Sequence, residues 1–238
     1  MANRRPIFDS LIRPFRDVIF PPLCFVCENL LTPEEEMVCE SCLSAIRCVS
    51  IADRHYRETL AGLTSEGTIS GLVAAYYFET GGPLQEVVQQ LTYGGMTSLG
   101  VLLGQQVGKR VRDELAGEQI AGIIPIPLHF SKKRERGYNQ SEYICKGICA
   151  VLGVPVEPKM VMRKIYTQSQ TTLSREERQQ NVTGAFALRR HAAPRVKDAT
   201  YLLVDDVVTT GATMRECARA ILDGGASRVI ACAAALAL

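Results

Sequence analysis

Apolar and polar positions along this chain follow two repeats, and their alternation sets out the architecture. Near-continuous apolar runs at 71–79, 121–128, 201–208 and 228–236 read as strands covered on both faces. Between them, 83–93, 97–115, 139–152 and 212–223 place apolar residues three and four apart, as amphipathic helices do. Met214, Cys217, Ala218, Ile221 and Leu222 form the clearest such set, ended by Gly224-Gly225. This alternation from residue 70 onward predicts an α/β fold: a mainly parallel sheet with crossover helices on both faces. Ligands in such sheets bind beyond the C-terminal strand ends. Upstream, 1–23 carries Phe8, Leu11, Ile12, Phe15, Val18 and Ile19, interrupted by Pro14 and closed by Pro21-Pro22. It reads as an N-terminal helical segment that docks on the main domain or on a partner. Residues 24–47 form a separate small module, 48–69 a polar, turn-rich linker, and 70–238 the main domain.

The strand at 201–208 does not end in ordinary loop residues. Leu202, Leu203 and Val204 lead into two adjacent carboxylates, Asp205 and Asp206, and then into Thr209, Thr210, Gly211, Ala212 and Thr213 at a helix start. Free backbone N–H groups and the positive helix end favour an anion there. Gly211 lets the backbone approach a phosphate closely, and the threonines add hydroxyl donors. Two acids beside an anion loop need a compatible role, because charges at the end of a buried strand are costly without partners. Vicinal sugar hydroxyls next to a phosphate supply one. A P-loop requires a Lys-Ser/Thr pair that this loop lacks.

Two further segments fall at the same sheet edge. The strand Ile123–Leu128 ends in prolines and runs into a basic stretch holding Lys132, Lys133, Arg134 and Arg136, followed by Gly137-Tyr138-Asn139-Gln140. The stretch from Arg163 and Lys164 to Asn181 is long, polar and basic, the composition of a binding loop or lid as well as of a mobile surface loop. Closure of a lid would keep water from a reactive sugar cation. Net charge over the 238 residues is only +2. Yet 129–140 holds four Lys/Arg against one Glu, and 163–197 eight against two. A solvated basic face and a polyanionic ligand, pyrophosphate or nucleic acid, both account for this.

Four of the nine cysteines belong together. Cys24, Cys27, Cys39 and Cys42 form CxxC-x11-CxxC, a spacing that places four thiolates around one tetrahedral ion. A lone CxxC would suggest a redox pair; two pairs favour structural zinc. Cys145, Cys149, Cys217 and Cys232 fall on apolar faces and read as core, and Cys48 and His55 read as structural. No stretch approaches the length of a membrane span, and MANRRPIFDS lacks a signal-peptide apolar core, so the expected location is the cytoplasm.

The run YLLVDDVVTTGAT resembles the phosphoribosyl pyrophosphate (PRPP) motif of type I phosphoribosyltransferases. That resemblance implies that Asp205 and Asp206 meet the ribose hydroxyls and Thr209–Thr213 the 5′-phosphate. With PPxCxxC…CxxC, PIPL…RERGYNQ and RK…TQSQTTLSREERQQNVTGAF in the same order, the whole chain resembles the ComF family, which includes ComFC- and GntX-like proteins. The resemblance implies a type I phosphoribosyltransferase-like domain carrying an N-terminal zinc ribbon, with Mg²⁺ accompanying PRPP. For some relatives it implies DNA uptake during natural transformation, with single-stranded DNA and competence-machine proteins as partners. Catalytic transfer to an acceptor and non-catalytic PRPP sensing share one motif. The chain departs from the family pattern in keeping only Cys48 of a second cysteine cluster, and in carrying Thr92 where many relatives have a lysine.

Overall fold

The computed structural model describes residues 21–35, 37–164, 184–190, 192 and 196–238. The chain divides into two compact units, Met1–Ile46 and Arg47–Leu238. In the first, Leu23 and Leu30 pair across a turn closed by the Cys24 N–H donating to Asn29 O at 2.8 Å. Helix α1, Glu40–Ala45, follows, with Cys39 as its N-cap. Of the predicted N-terminal helical segment, 1–20 lies outside the described residues.

The second unit opens on a helix where the sequence predicts a linker. Within 48–69 lies helix α2, Arg54–Thr64, with Tyr56 and Leu63 buried. Tyr56, Leu60 and Leu63 are spaced four and three apart, an apolar stripe too narrow to stand out in a polar stretch. The Tyr56 hydroxyl donates to Leu72 O at 2.7 Å. Ahead of α2, Tyr77 N donates to Arg47 O and Val49 N to Ala75 O, so this stretch also runs along the first strand.

Strand β1 is Leu72–Phe78, followed by α3, Pro83–Thr92, and α4, Thr97–Glu114. Strand β2, Ile120–Pro125, leads into α5, Phe130–Arg136, and α6, Gln140–Leu152. Strands β3, Val161–Arg163, and β4, Phe186–Leu188, form an antiparallel pair. Strand β5, Thr200–Val208, helix α7, Ala212–Asp223, and strand β6, Arg228–Ala237, complete the chain. The main sheet has the order β1-β6-β5-β2 with every neighbouring pair parallel. This is the predicted α/β architecture, and the long strands and helices fall within two or three residues of the boundaries read from the sequence.

The sheet is buried on both sides, as its unbroken apolar strands require. Tyr201, Leu203, Ala231 and Ala233 pack with Tyr56 and Leu63 of α2 and with Met214, Cys217, Ala218 and Ile221 of α7. Helices α4 and α6 pack on each other and on the strands, burying Leu99, Leu103, Val107, Ile144 and Ile148. Their backbones meet through glycines: a Cβ on Gly104 would stand 2.0 Å from Ile144 O, and one on Gly147 2.2 Å from Val101 O. Among the cysteines read as core, Cys145, Cys217 and Cys232 are buried, whereas Cys149 is half-buried.

Candidate functional site

Strand β5 keeps its β6 partner as far as Val208, but its β2 partner ends opposite Val204. Ile126 N still donates to Val204 O at 2.9 Å, and Asp205 and Asp206 follow where β5 no longer has β2 beside it. Both acids are half-buried. Asp205 Oδ1 accepts from the Ser141 hydroxyl at 3.2 Å and from Asp206 N at 3.0 Å, and Asp206 Oδ1 accepts from Val207 N at 2.7 Å. Desolvation, then the neighbouring Asp206 charge, raises the Asp205 carboxyl well above the ordinary range. Desolvation also raises Asp206, against which the Val207 N–H and, more weakly, the positive Arg136 act.

The loop that follows is set by Gly211. Its φ of 70° is left-handed, and it is the N-cap of α7. Thr209 is exposed, Thr210 and Thr213 are half-buried, and Ala212 N donates to Thr210 Oγ1 at 3.5 Å. A strand end, a turn and the N-terminus of a twelve-residue helix thus follow directly on the two acids, where the sequence predicts an anion.

The basic candidates separate into two groups. Lys132 and Arg136, one turn apart on α5, are half-buried, and so is Arg163 at the end of β3. Burial, with the charges of Arg136 and Arg163, brings the Lys132 ammonium below its ordinary range, so three cations share one neighbourhood. Burial likewise lowers Arg163, opposed by the nearby Asp205 charge. Arg136 and Arg163 therefore lie near the acids, with Lys132 beside the two of them. Lys133, Arg134 and Lys164 are all exposed, and Lys133 Nζ pairs with Glu142 Oε1 at 2.8 Å. The rest of the basic loop, 165–181, lies outside the described residues.

Sequence reasoning passed over several residues that build this site. Asn139, Gln140 and Ser141 are almost fully buried at the start of α6. Asn139 Nδ2 donates to Ile126 O at 2.9 Å and fixes the chain leaving β2. A run of polar residues opening an otherwise apolar helix was the available signal. Arg215 is also buried, and its guanidinium donates to Thr210 O at 3.1 Å. His55, which reads as structural from the sequence, bonds Ala237 O through Nε2 at 2.7 Å and so holds α2 at the end of β6.

In the first unit the sulfurs of Cys24, Cys27, Cys39 and Cys42 all lie within 4.8 Å of one another. Cys27 Sγ and Cys39 Sγ are 3.7 Å apart, close to the ~3.8 Å edge of a tetrahedron with 2.3 Å Zn–S bonds. Backbone N–H groups point at two of the sulfurs: Cys39 N to Cys24 Sγ at 3.3 Å and Cys42 N to Cys39 Sγ at 3.4 Å. Desolvation opposes ionisation of Cys24, but N–H donors from Cys39, Cys27 and Val26 outweigh it and bring the thiol to about 6. Desolvation and the neighbouring sulfurs push Cys42 far up. The donor set fits a closed four-thiolate site, in which the ion takes the place of the remaining protons.

Residues 114–237, more than half of the chain, match the phosphoribosyl transferase domain family, and the chain belongs to that family. Its relatives bear out the likeness to the ComF family read from the motifs. Competence protein F of Haemophilus influenzae is 29% identical over 163 residues, 66% of this chain and 69% of that protein. DNA utilization protein YhgH of Salmonella typhi is 26% identical over 223 residues, 88% of this chain and 94% of that protein. The protein of the same name in Escherichia coli K12 is 30% identical over 150 residues, 62% and 64% of the two chains. Among solved structures, the glutamine PRPP amidotransferase from B. subtilis, complexed with ADP and GMP, matches with a TM-score of 0.40 at 16% identity. That match covers 61% of this chain and 30% of the amidotransferase. Among the described residues, no helix is long and apolar enough to cross a membrane.

Proposed function

We propose that this protein binds PRPP with Mg²⁺ beyond the end of β5 and transfers its phosphoribosyl group to a nitrogenous acceptor. One arrangement carries the reading: Arg136 and Arg163, with Lys132 beside them, lie near the Asp205–Asp206 pair that leads into the Thr209–Thr213 loop. Such a site offers acceptors for ribose hydroxyls, backbone and hydroxyl donors for a 5′-phosphate, and cations for a pyrophosphate. Asp205 and Asp206 would accept from the two hydroxyls. Ser141 holds Asp205 in place for this.

Cleavage of the bond between the anomeric carbon and the pyrophosphate oxygen sends the electron pair to the leaving group. Lys132, Arg136 and Arg163 stabilise the charge that develops there, and the carboxylates lie near the positive anomeric centre. Mg²⁺, an oxygen-seeking ion, would when bound with PRPP supply further neutralisation of the pyrophosphate. The Cys24, Cys27, Cys39 and Cys42 thiolates hold Zn²⁺ as a structural ion.

The test is calorimetry with PRPP and Mg²⁺, followed by incubation with a panel of nitrogenous bases while pyrophosphate release is measured. Mg²⁺-dependent binding that disappears in the Asp205→Asn/Asp206→Asn double variant is the expected result. Wild-type-like affinity in that variant would refute the site. Binding without pyrophosphate release on any base would leave a PRPP-responsive protein with no turnover.

A second reading, handling of single-stranded DNA in a competence system, is favoured by a surface feature. Tyr93 is 78% exposed with Arg136 over its ring at 5.3 Å, and Phe130 is 73% exposed at the start of basic α5. Exposed rings among cations suit base stacking beside phosphates, and relatives carry competence and DNA-utilization names. Loss of oligonucleotide binding in Tyr93→Ala/Phe130→Ala would support it, and unchanged binding would remove these rings from the interface.

A further inference from the structure

The loop Thr209–Thr213 is held from behind by α2 and the turn after it. Arg215, in the first turn of α7, is only 9% exposed. Its guanidinium donates to Thr210 O at 3.1 Å and to Gly62 O at 3.3 Å, and its Nε lies 3.1 Å from Glu66 Oε1. Glu66 also takes Arg219 at 2.7 Å, and Arg219 in turn faces Glu216 at 3.4 Å. Leu63 packs against the same turn: a Cβ on Gly211 would stand 2.2 Å from Leu63 Cδ2.

A buried guanidinium in the first turn of a helix is at the unfavourable end of the helix dipole. Removed from water, it also requires compensation. Glu66 and two carbonyls provide that here. What the arrangement secures is the direction of one peptide. A trans peptide places its carbonyl and the following N–H on opposite sides. Committing Thr210 O to Arg215 therefore turns the Gly211 N–H away from Arg215.

We infer that Arg215, anchored by Glu66 and Gly62 O, is a positioning residue that fixes the phosphate loop, and that α2 belongs to the phosphate site rather than to a linker. The inference rests on reading Thr209–Thr213 as the 5′-phosphate loop. It predicts that loss of Arg215 impairs recognition of the 5′-phosphate and spares recognition of pyrophosphate, whose cations lie on α5 and β3.

The experiment uses the full chain as wild type, Arg215→Met, Arg215→Lys and the milder Glu66→Gln. Hydrogen exchange without ligand should rise about tenfold at 209–213 and in the last turn of α2 in Arg215→Met, with β6 unaffected. Calorimetry should show ribose 5-phosphate affinity reduced by about 10- to 50-fold, the scale of a lost charged hydrogen bond, with Mg²⁺-pyrophosphate affinity kept within about twofold. Arg215→Lys, which keeps the charge and one donor, should recover part of the loss. Glu66→Gln, which leaves Arg215 in place but weakly anchored, should show the same pattern at smaller amplitude and decides the matter if Arg215→Met fails to fold. Unchanged loop exchange in these variants overturns the inference, as does an equal loss of both ligands, which marks general damage. If wild type fails to bind ribose 5-phosphate, the phosphate-site reading falls, while the exchange measurement still decides whether Arg215 holds the loop.

Discussion

Gly211→Ala should destabilise the protein before any ligand is considered. From the sequence alone, this glycine serves only the close approach of a phosphate to the backbone. The structure adds two costs. The residue sits at φ 70°, a conformation that costs a residue with a Cβ about 1–2 kcal/mol. The new Cβ would also stand 2.2 Å from Leu63 Cδ2 and 3.1 Å from Leu63 Cγ, so Leu63 or the loop must shift. Overpacking of this kind costs about 1–3 kcal/mol. The sum, about 2–5 kcal/mol, corresponds to a fall in Tm of roughly 5–15 °C for a unit of this size. Leu63→Ala alone should cost about 2–5 kcal/mol, since the side chain is 1% exposed. In the double variant the colliding methyl is gone, so the two losses should fall short of additivity by about 1–3 kcal/mol. Urea unfolding of the four proteins measures this directly. Additivity within about 0.5 kcal/mol would refute the claim that Leu63 and the Thr209–Thr213 loop are in enforced contact.

Four further outcomes are expected. Cys39→Ser, or chelation, should open residues 21–46 to protease first while the parallel sheet stays folded, because metal-binding free energy of about 10–16 kcal/mol is folding free energy in such modules; metal analysis showing no zinc with four freely titrating thiols would refute it. Asp205→Asn should raise Tm near neutral pH: with a folded pKa above the unfolded one, the wild type loses stability as pH rises through the folded value, so the gap should close as pH falls below the ordinary carboxylate range. Melts at several pH values test this, and a gap that widens toward acid would contradict it. Lys132→Ala or Arg136→Ala should weaken pyrophosphate binding by about tenfold or more and Arg134→Ala by little, as calorimetry can show. If DNA is a ligand, neutralising Arg189, Arg190 and Arg195 together should flatten the log–log salt dependence of single-strand binding by about 2, at about 0.7 per phosphate contact; an unchanged slope removes them from the interface, and Arg195 lies outside the described residues.

The sequence alone determined the strands and helices of the parallel sheet, because burial on both faces leaves unbroken apolar runs and burial on one face leaves a helical repeat. It also singled out two local groups of residues as candidate sites. The Asp205–Thr213 run and the two CxxC pairs bring their functional atoms together within a single turn or ribbon, so spacing along the chain already implies proximity in space. The α2 helix was different. Its three-residue stripe, Tyr56, Leu60 and Leu63, is intelligible only once β1 and α7 are present to cover it. Tertiary structure likewise chose among the cations. Lys132 and Arg136 are half-buried while Lys133 reaches Glu142, a distinction fixed by the rotation of a seven-residue helix in a stretch that reads from end to end as basic. Ser141 on Asp205 and Arg215 on Thr210 and Gly62 join residues 64, 5 and 153 positions apart. The two longer pairings depend on how the layers close over the sheet, and the third on which way one buried side chain turns; none follows from local pattern.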